Sequence, residues 1–239
     1  MRGEISSGTF AKRHPLDWYV DEVWCARQLA RALGDFRRER DEGLAVWDPC
    51  CGMGNTIQAA WELGLPTHIS DVVKNVAWDN FEGFESLTRP IWRSADFLEH
   101  KAAPVPCSIV CNPPYSYCKG AGEYAGMLIS EAFARHALKL ATGRVCLLLP
   151  NKWLSSQARY GLFMEDHPPQ AVLHLTQRPS MPPGDRIHLM GKRAFRGGMI
   201  DYCWIVWDVL RPTRPGQTRA AWLPPLGSPG KLQPVEGLA

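Results

Sequence analysis

The chain has 239 residues, 45% of them apolar and 21% charged; this suits one or two globular domains with a sizeable core and excludes disorder over the whole length. Its longest apolar run, around Val145–Leu149, falls far short of the ~20 residues of a membrane span, and a formal charge of +3 is too small to identify an acidic partner. The opening Met1–Ser7 carries no apolar stretch or small-residue cleavage site, so the expected location is the cytoplasm, with no membrane partner.

From Asp17 to Leu33, Val20, Val23, Trp24, Leu29, Ala30 and Leu33 recur at helical spacing before Gly34, which predicts one amphipathic helix. Leu44–Trp47 is a short apolar run closed by Asp48, Pro49 and a glycine pair, and Thr56–Leu63 is helix-like up to Gly64. Thr67–Ser70 and Ile91–Ala95 are further strand-like runs, ended by Asp71 and Asp96. Cys107–Cys111 is a fourth, closed by Asn112, Pro113, Pro114 and Tyr115. A long helix over Glu123–Leu140 then leads to Arg144–Leu149, apolar almost throughout, as a strand buried on both faces should be. A helix over Trp153–Phe163 and two β-like runs, Ala171–Leu175 and Tyr202–Val209, complete the pattern. Between those runs, segment 178–198 is a Gly/Pro-rich basic loop carrying Arg178, Arg186, Lys192, Arg193 and Arg196. From Arg211 to the end Pro, Gly and Arg dominate without a period, so a tail of irregular coil or disorder is expected behind a single domain over 1–210.

Strands alternating with helices imply βαβ units and a mostly parallel, doubly wound sheet. Such sheets bind ligands beyond their C-terminal strand ends. Asp48, Asp71, Asp96 and Asn112 each follow a different predicted strand, so the polar chemistry gathers on one rim. The eight cysteines do not form a knuckle or a scaffold: no pair has a two-residue gap, and Cys107 and Cys111 on one strand face would stand about 13 Å apart. No metal is expected, and reduced thiols fit the compartment.

In Asp48-Pro49-Cys50-Cys51-Gly52-Met53-Gly54-Asn55, Gly52 and Gly54 permit a sharp turn and close approach of a ligand, and Asn55 can cap the following helix. The run matches neither the dinucleotide fingerprint nor a phosphate loop. Asp71, about twenty residues on, is placed to accept from a ribose diol. Asp96 can accept from the exocyclic amine of an adenine, with Phe97 beside it to stack on the ring. The most informative element is Asn112 to Tyr115. Its two prolines fix φ and remove two donors, leaving the Pro113 carbonyl to converge with the Asn112 side-chain carbonyl. Two such acceptors suit a planar NH2 group, and Tyr115 offers a face for the ring that carries it.

On these residues the chain resembles the class I S-adenosylmethionine-dependent methyltransferases, and within them the amino-methyltransferases acting on adenine N6 in DNA. The likeness runs from about residue 17 to 210. Asp48-Pro-Cys-Cys-Gly-Met-Gly is similar to the family's cofactor motif, with Cys where many members have Phe or Ala, and Asn112-Pro-Pro-Tyr115 matches its catalytic motif. The resemblance implies a Rossmann-like fold with a seven-stranded, mostly parallel sheet, helices on both faces and an antiparallel last strand. It further implies S-adenosylmethionine held by Trp18, Tyr19, Asp48, Pro49, Cys50, Gly52, Gly54, Asn55, Asp71, Asp96, Phe97 and Asn112. Asn112, Pro113, Pro114 and Tyr115 would carry the chemistry, and Tyr115, Lys119, Arg178, Arg186, Lys192, Arg193 and Arg196 would meet DNA.

The motif order is similar to the γ arrangement, and the late Arg178-Pro-Ser and Tyr202–Trp207 segments to short phage- or prophage-type members. The implied reaction is direct in-line methyl transfer to the amine. No separate recognition domain fits the length, so base reading falls to small elements, to a specificity or nuclease partner, or to neither, in a monomer or dimer. The same four-residue motif serves RNA adenine enzymes and protein-glutamine enzymes. The latter usually carry a helical substrate domain ahead of the cofactor motif, whereas fewer than about fifty residues precede Asp48 here. A catalytically idle nucleic-acid binder of the same fold is the remaining alternative.

Overall fold

A computed structural model of the protein describes residues 14–115, 120–228 and 232–238. Among the described residues eight strands form one sheet: β1 (Ala45–Asp48), β2 (Thr67–Asp71), β3 (Ile91–Ser94), β4 (Cys107–Cys111), β5 (Arg144–Pro150), β6 (Ala171–Leu175), β7 (Tyr202–Asp208) and β8 (Arg219–Leu223). Their spatial order is β3-β2-β1-β4-β5-β7-β6-β8. All pairings are parallel except those of β7, which runs antiparallel to both β5 and β6. The helices are α1 (Val23–Ala32), α2 (Arg37–Asp41), α3 (Asn55–Glu62), α4 (Ile129–Leu140) and the single turn α5 (Ile187–Met190). Among the described residues no helix is long and apolar enough to cross a membrane.

Strand periodicity builds two cores, one on each face. Val46, Ile69, Leu148 and Trp204 point to the face covered by α1 and α3, where Leu29 and Trp61 are buried. Trp47, Ile109, Leu147 and Trp207 point to the other, where α4 contributes Phe133 and Ala137. Because β1 and β4 are buried on both sides, their sequences read as near-continuous apolar runs, interrupted by Ser108, rather than alternating ones. Chain progression reverses between them, β2 and β3 lying on one side and β5 on the other. A crevice therefore opens beyond their carboxyl ends, where Asp48 and Asn112 sit.

Three expected helices take a different form. Residues 17–22 are not helical: α1 starts only at Val23, and the preceding segment is an extended strap. Val20 N–H donates to the Pro182 carbonyl (3.0 Å) and Tyr19 bridges Pro183, so tertiary pairing overrides the helical spacing. The helix expected from Glu123 is confined to Ile129–Leu140, behind a 3-10 turn and Gly126 at φ +84°. Trp153–Phe163 is broken into two 3-10 turns and a π turn. There the buried Arg159 donates Nε–H to the Trp153 carbonyl (2.8 Å) and lies 4.5 Å over its ring, consuming an acceptor that a continuing helix would use.

The tail expected as coil supplies β8, parallel to β6, so the sheet has eight strands and β7 is not its last. Only Leu223 of β8 is buried, which is why no alternation marked it. Val235 N–H reaches the Ala32 carbonyl (2.8 Å), and Leu238 is buried against the same core. The basic segment is likewise wound into short turns at 184–186, Ile187–Met190 and 191–193.

Candidate active site

The glycine-rich turn between β1 and α3 is tied to both neighbouring strands. The Asp48 carboxylate accepts from Cys50 N–H (3.1 Å), Cys51 N–H donates to the Ser70 carbonyl (3.0 Å), and Gly52 N–H donates to the Asp71 carboxylate (2.8 Å). Asp71 also accepts from Val73 N–H (3.3 Å). Gly54 has φ +89°, and a Cβ there would stand 2.7 Å from the Phe81 ring, so both conformation and space demand glycine. Asn55 does not cap α3. It is the first helical residue, and its amide N–H reaches the Asp21 carbonyl (2.7 Å) while its oxygen accepts from Asn80 (2.9 Å).

The strap closes over this turn. Trp18 lies against Gly52, where a Cβ would be 3.0 Å from its Nε1. On its other side is Gly184, whose N–H donates to the Trp18 carbonyl (3.0 Å) and whose Cβ would fall 2.1 Å from the indole. Asp17, at φ +54°, accepts from Tyr115 N–H (3.1 Å). Asp21 accepts from Thr56 Oγ1–H (3.1 Å) and Asn112 Nδ2–H (3.4 Å). Strap, turn and strand ends enclose a cavity of about 300 Å3 whose wall includes Trp18, Tyr19, Gly52, Asp71, Asp96 and Asn112.

Acidic side chains crowd the turn, and burial opposes their ionisation. Burial pushes the Asp48 carboxyl well above the usual range, with Asp21 and Asp71 adding to the rise. Burial also raises Asp71 and lifts Asp21 to about 6. Asp96 is exposed and caps the next 3-10 turn, accepting from Leu98 N–H (3.0 Å). Phe97 borders the cavity, but its ring is only 2% exposed and packs edge-on against Trp47 and beside Phe133.

The Asn112 amide nitrogen donates to the Tyr19 carbonyl (3.2 Å) and to Asp21, which fixes the amide so that Oδ1 faces the other way. That oxygen accepts from Tyr115 Oη–H. Burial drives the Tyr115 phenol well above its usual value, so it remains a donor. Beyond Tyr115 opens a second cavity of about 740 Å3, bounded by Tyr19, Trp153, Met181, Met199 and Tyr202 and carrying Lys152, Arg159, Arg193 and Arg196 on its walls. Tyr19 borders both cavities.

Of the cationic residues singled out in the sequence, Arg193 and Arg196 reach this second cavity. Arg178 is exposed and paired with Asp201 (2.6 Å). Arg186 and Lys192 lie on the adjoining turns outside the cavity wall. Lys119 is outside the described residues. Asp17, Asp21, Thr56 and Met181 were not legible as site residues. The only signal for the two carboxylates was their position flanking Trp18 and Tyr19.

No family model and no curated protein matches the chain. Solved structures do. A class I S-adenosylmethionine-dependent methyltransferase from Listeria monocytogenes, itself described as putative, is similar over 83% of this chain and 62% of that one, with TM-score 0.55 and 14% identity. A type I restriction-modification methyltransferase subunit from Streptococcus thermophilus is similar over 76% and 43%, with TM-score 0.56 and 16% identity. A 23S rRNA methyltransferase is similar over 83% and 71%, with TM-score 0.52 and 16% identity. The chain thus spans about 62% and 43% of the first two structures. At these identities the likeness fixes the fold, the Rossmann-like fold of class I methyltransferases.

Proposed function

We propose that the protein transfers a methyl group from S-adenosylmethionine to adenine N6 in DNA. The observation that carries this reading is the fixed amide of Asn112 on the wall of the smaller cavity, with its carbonyl oxygen bonded to Tyr115, which borders the larger. The smaller cavity fits the cofactor. Its glycine turn leaves no room for side chains, Asp71 stands at the end of β2, and the buried Trp18 Nε1 has no partner among the described residues. Asp21 and Asp71 stand on its wall, where a cationic ligand would favour their ionised forms. When bound, S-adenosylmethionine supplies an electrophilic methyl on a sulfonium centre.

The chain's own residues then position and desolvate. Asn112 Oδ1 and the Pro113 carbonyl accept the two protons of the amine, which localises its lone pair for in-line attack. Tyr115 exchanges its bond to Asn112 for a stack on the base. Alignment of this kind contributes about 7–11 kcal/mol. Extraction of the base from a duplex costs about a few kcal/mol, offset by stacking in the larger cavity. Its apolar wall of Met181, Trp153 and Tyr202 suits a planar ring, and Lys152, Arg193 and Arg196 suit a phosphate backbone.

Incubation with methyl-labelled cofactor and DNA, RNA or release-factor protein tests the reading. Label in DNA adenine is expected, and Asn112→Ala should slow transfer by at least about 100-fold, the scale of losing one fixed polar group that faces the reacting centre. Label in RNA or protein instead would reassign the substrate. No transfer at all would leave a nucleic-acid binder.

A further inference from the structure

The cysteines show no metal spacing along the chain, yet the fold brings two of them to one point. In the pairing of β1 with β4, Trp47 lies opposite Ile109, so the residues just beyond, Asp48 to Cys50 and Cys111, meet at the strand ends. One Asp48 carboxylate oxygen, Cys50 Sγ and Cys111 Sγ all lie within 4.8 Å of one another. Asp48 and Cys111 are buried, whereas Cys50 is half-buried and opens onto the smaller cavity. Cys50 Sγ also stands 3.4 Å from the Asn112 carbonyl.

We propose that Asp48, Cys50 and Cys111 form a three-ligand site for a thiophilic divalent cation such as zinc or cadmium, with its fourth position open to the cavity. Two sulfurs with one carboxylate select a borderline or soft metal over magnesium or calcium, which take oxygen ligands. Metal–sulfur bonds of about 2.3 Å in a tetrahedron set the sulfurs roughly 3.8 Å apart, so closing the ligands from 4.8 Å needs a movement of about 1 Å at most. Loading releases to solvent the protons of both thiols and any proton on the Asp48 carboxyl, leaving two thiolates and the carboxylate on the cation. On the reading of the cavity as a cofactor site, metal and cofactor would exclude one another, because Cys50 belongs to both.

Cadmium titration of the full chain, followed by thiolate-to-metal charge-transfer absorption, tests this. One saturable equivalent is expected, with affinity falling more than about 100-fold in Cys50→Ala and in Cys111→Ala, beyond the 10–100-fold typical of a lost outer-shell partner. Cys51→Ala and Cys118→Ala should bind like the parent. Absorption that persists in Cys50→Ala, or the absence of a saturable equivalent in the parent, overturns the site. Since Cys50 is half-buried, its variant decides the matter even if Cys111→Ala fails to fold. Addition of S-adenosylhomocysteine should weaken cadmium binding. Cadmium binding that depends on Cys50 but ignores S-adenosylhomocysteine would uphold the metal site and count against the cofactor reading instead.

Discussion

A carboxylate enclosed as Asp21 is, only 4% exposed, destabilises the fold whenever it is ionised. Burial is the main cause, and it lifts the group from 3.8 to about 6, a gap of roughly 3 kcal/mol. Because the folded value lies above the unfolded one, the contribution to stability is full below pH ~4 and is lost as pH rises through about 6. Retention of such a group is explained by what it holds, the Thr56 hydroxyl and the Asn112 amide. Asp21→Asn is therefore expected to raise the melting temperature at pH 8, with the gain shrinking toward pH 5. Methyl transfer should fall more than about tenfold, since an amide at position 21 no longer dictates which way Asn112 points. Thermal denaturation at the two pH values and single-turnover rates check both halves. A variant of unchanged stability and unchanged rate would remove Asp21 from the site.

The elements explain why such a residue escaped notice. Strands β1, β4 and β5 were legible because a strand buried on both faces is a near-continuous apolar run, whereas the more polar β2 and the exposed β3 were marked by the acid that ends each run. The strap was not. Val20, Val23 and Trp24 satisfy a helical period, but long-range bonds, among them those to Pro182, Pro183, Asn55 and Asn112, hold residues 17–22 extended. β8 was hidden for the opposite reason: an edge strand with one buried side chain leaves almost no periodic trace. The strap depends on a distant glycine, since Trp18 occupies the space that a side chain at 184 would need. Gly184→Ala should therefore displace the indole and weaken S-adenosylhomocysteine binding about tenfold. Overpacking costs typically 1–3 kcal/mol, so the fold should survive. Calorimetry reads the affinity, and an unchanged value would dissociate the strap from the smaller cavity.

Across the whole molecule, one topological event places the chemistry. Chain progression reverses between β1 and β4, and the crevice at that reversal receives the glycine turn from one side and the Asn112 motif from the other. The two cavities then follow from the strap, which roofs the first and borders the second through Tyr19. The net charge of +3 conceals an uneven distribution, with buried carboxylates around the smaller cavity and cations around the larger. The sequence marked the cations of 178–198 but could not rank them, because ranking depends on which are already engaged. Arg178 is neutralised by Asp201, and Arg159 is spent on Trp153, whereas Lys152, Arg193 and Arg196 are exposed or line the larger cavity beside Tyr115. Replacing Lys152, Arg193 and Arg196 together with alanine should weaken DNA binding and lower the salt dependence by about 2 to 3, near 0.9 for each phosphate that is no longer neutralised. S-adenosylhomocysteine affinity should be retained, and Arg178→Ala should leave the slope almost unchanged. If the triple variant keeps the parental slope, the nucleic acid does not approach through the larger cavity, and the base would have to reach Asn112 by another path.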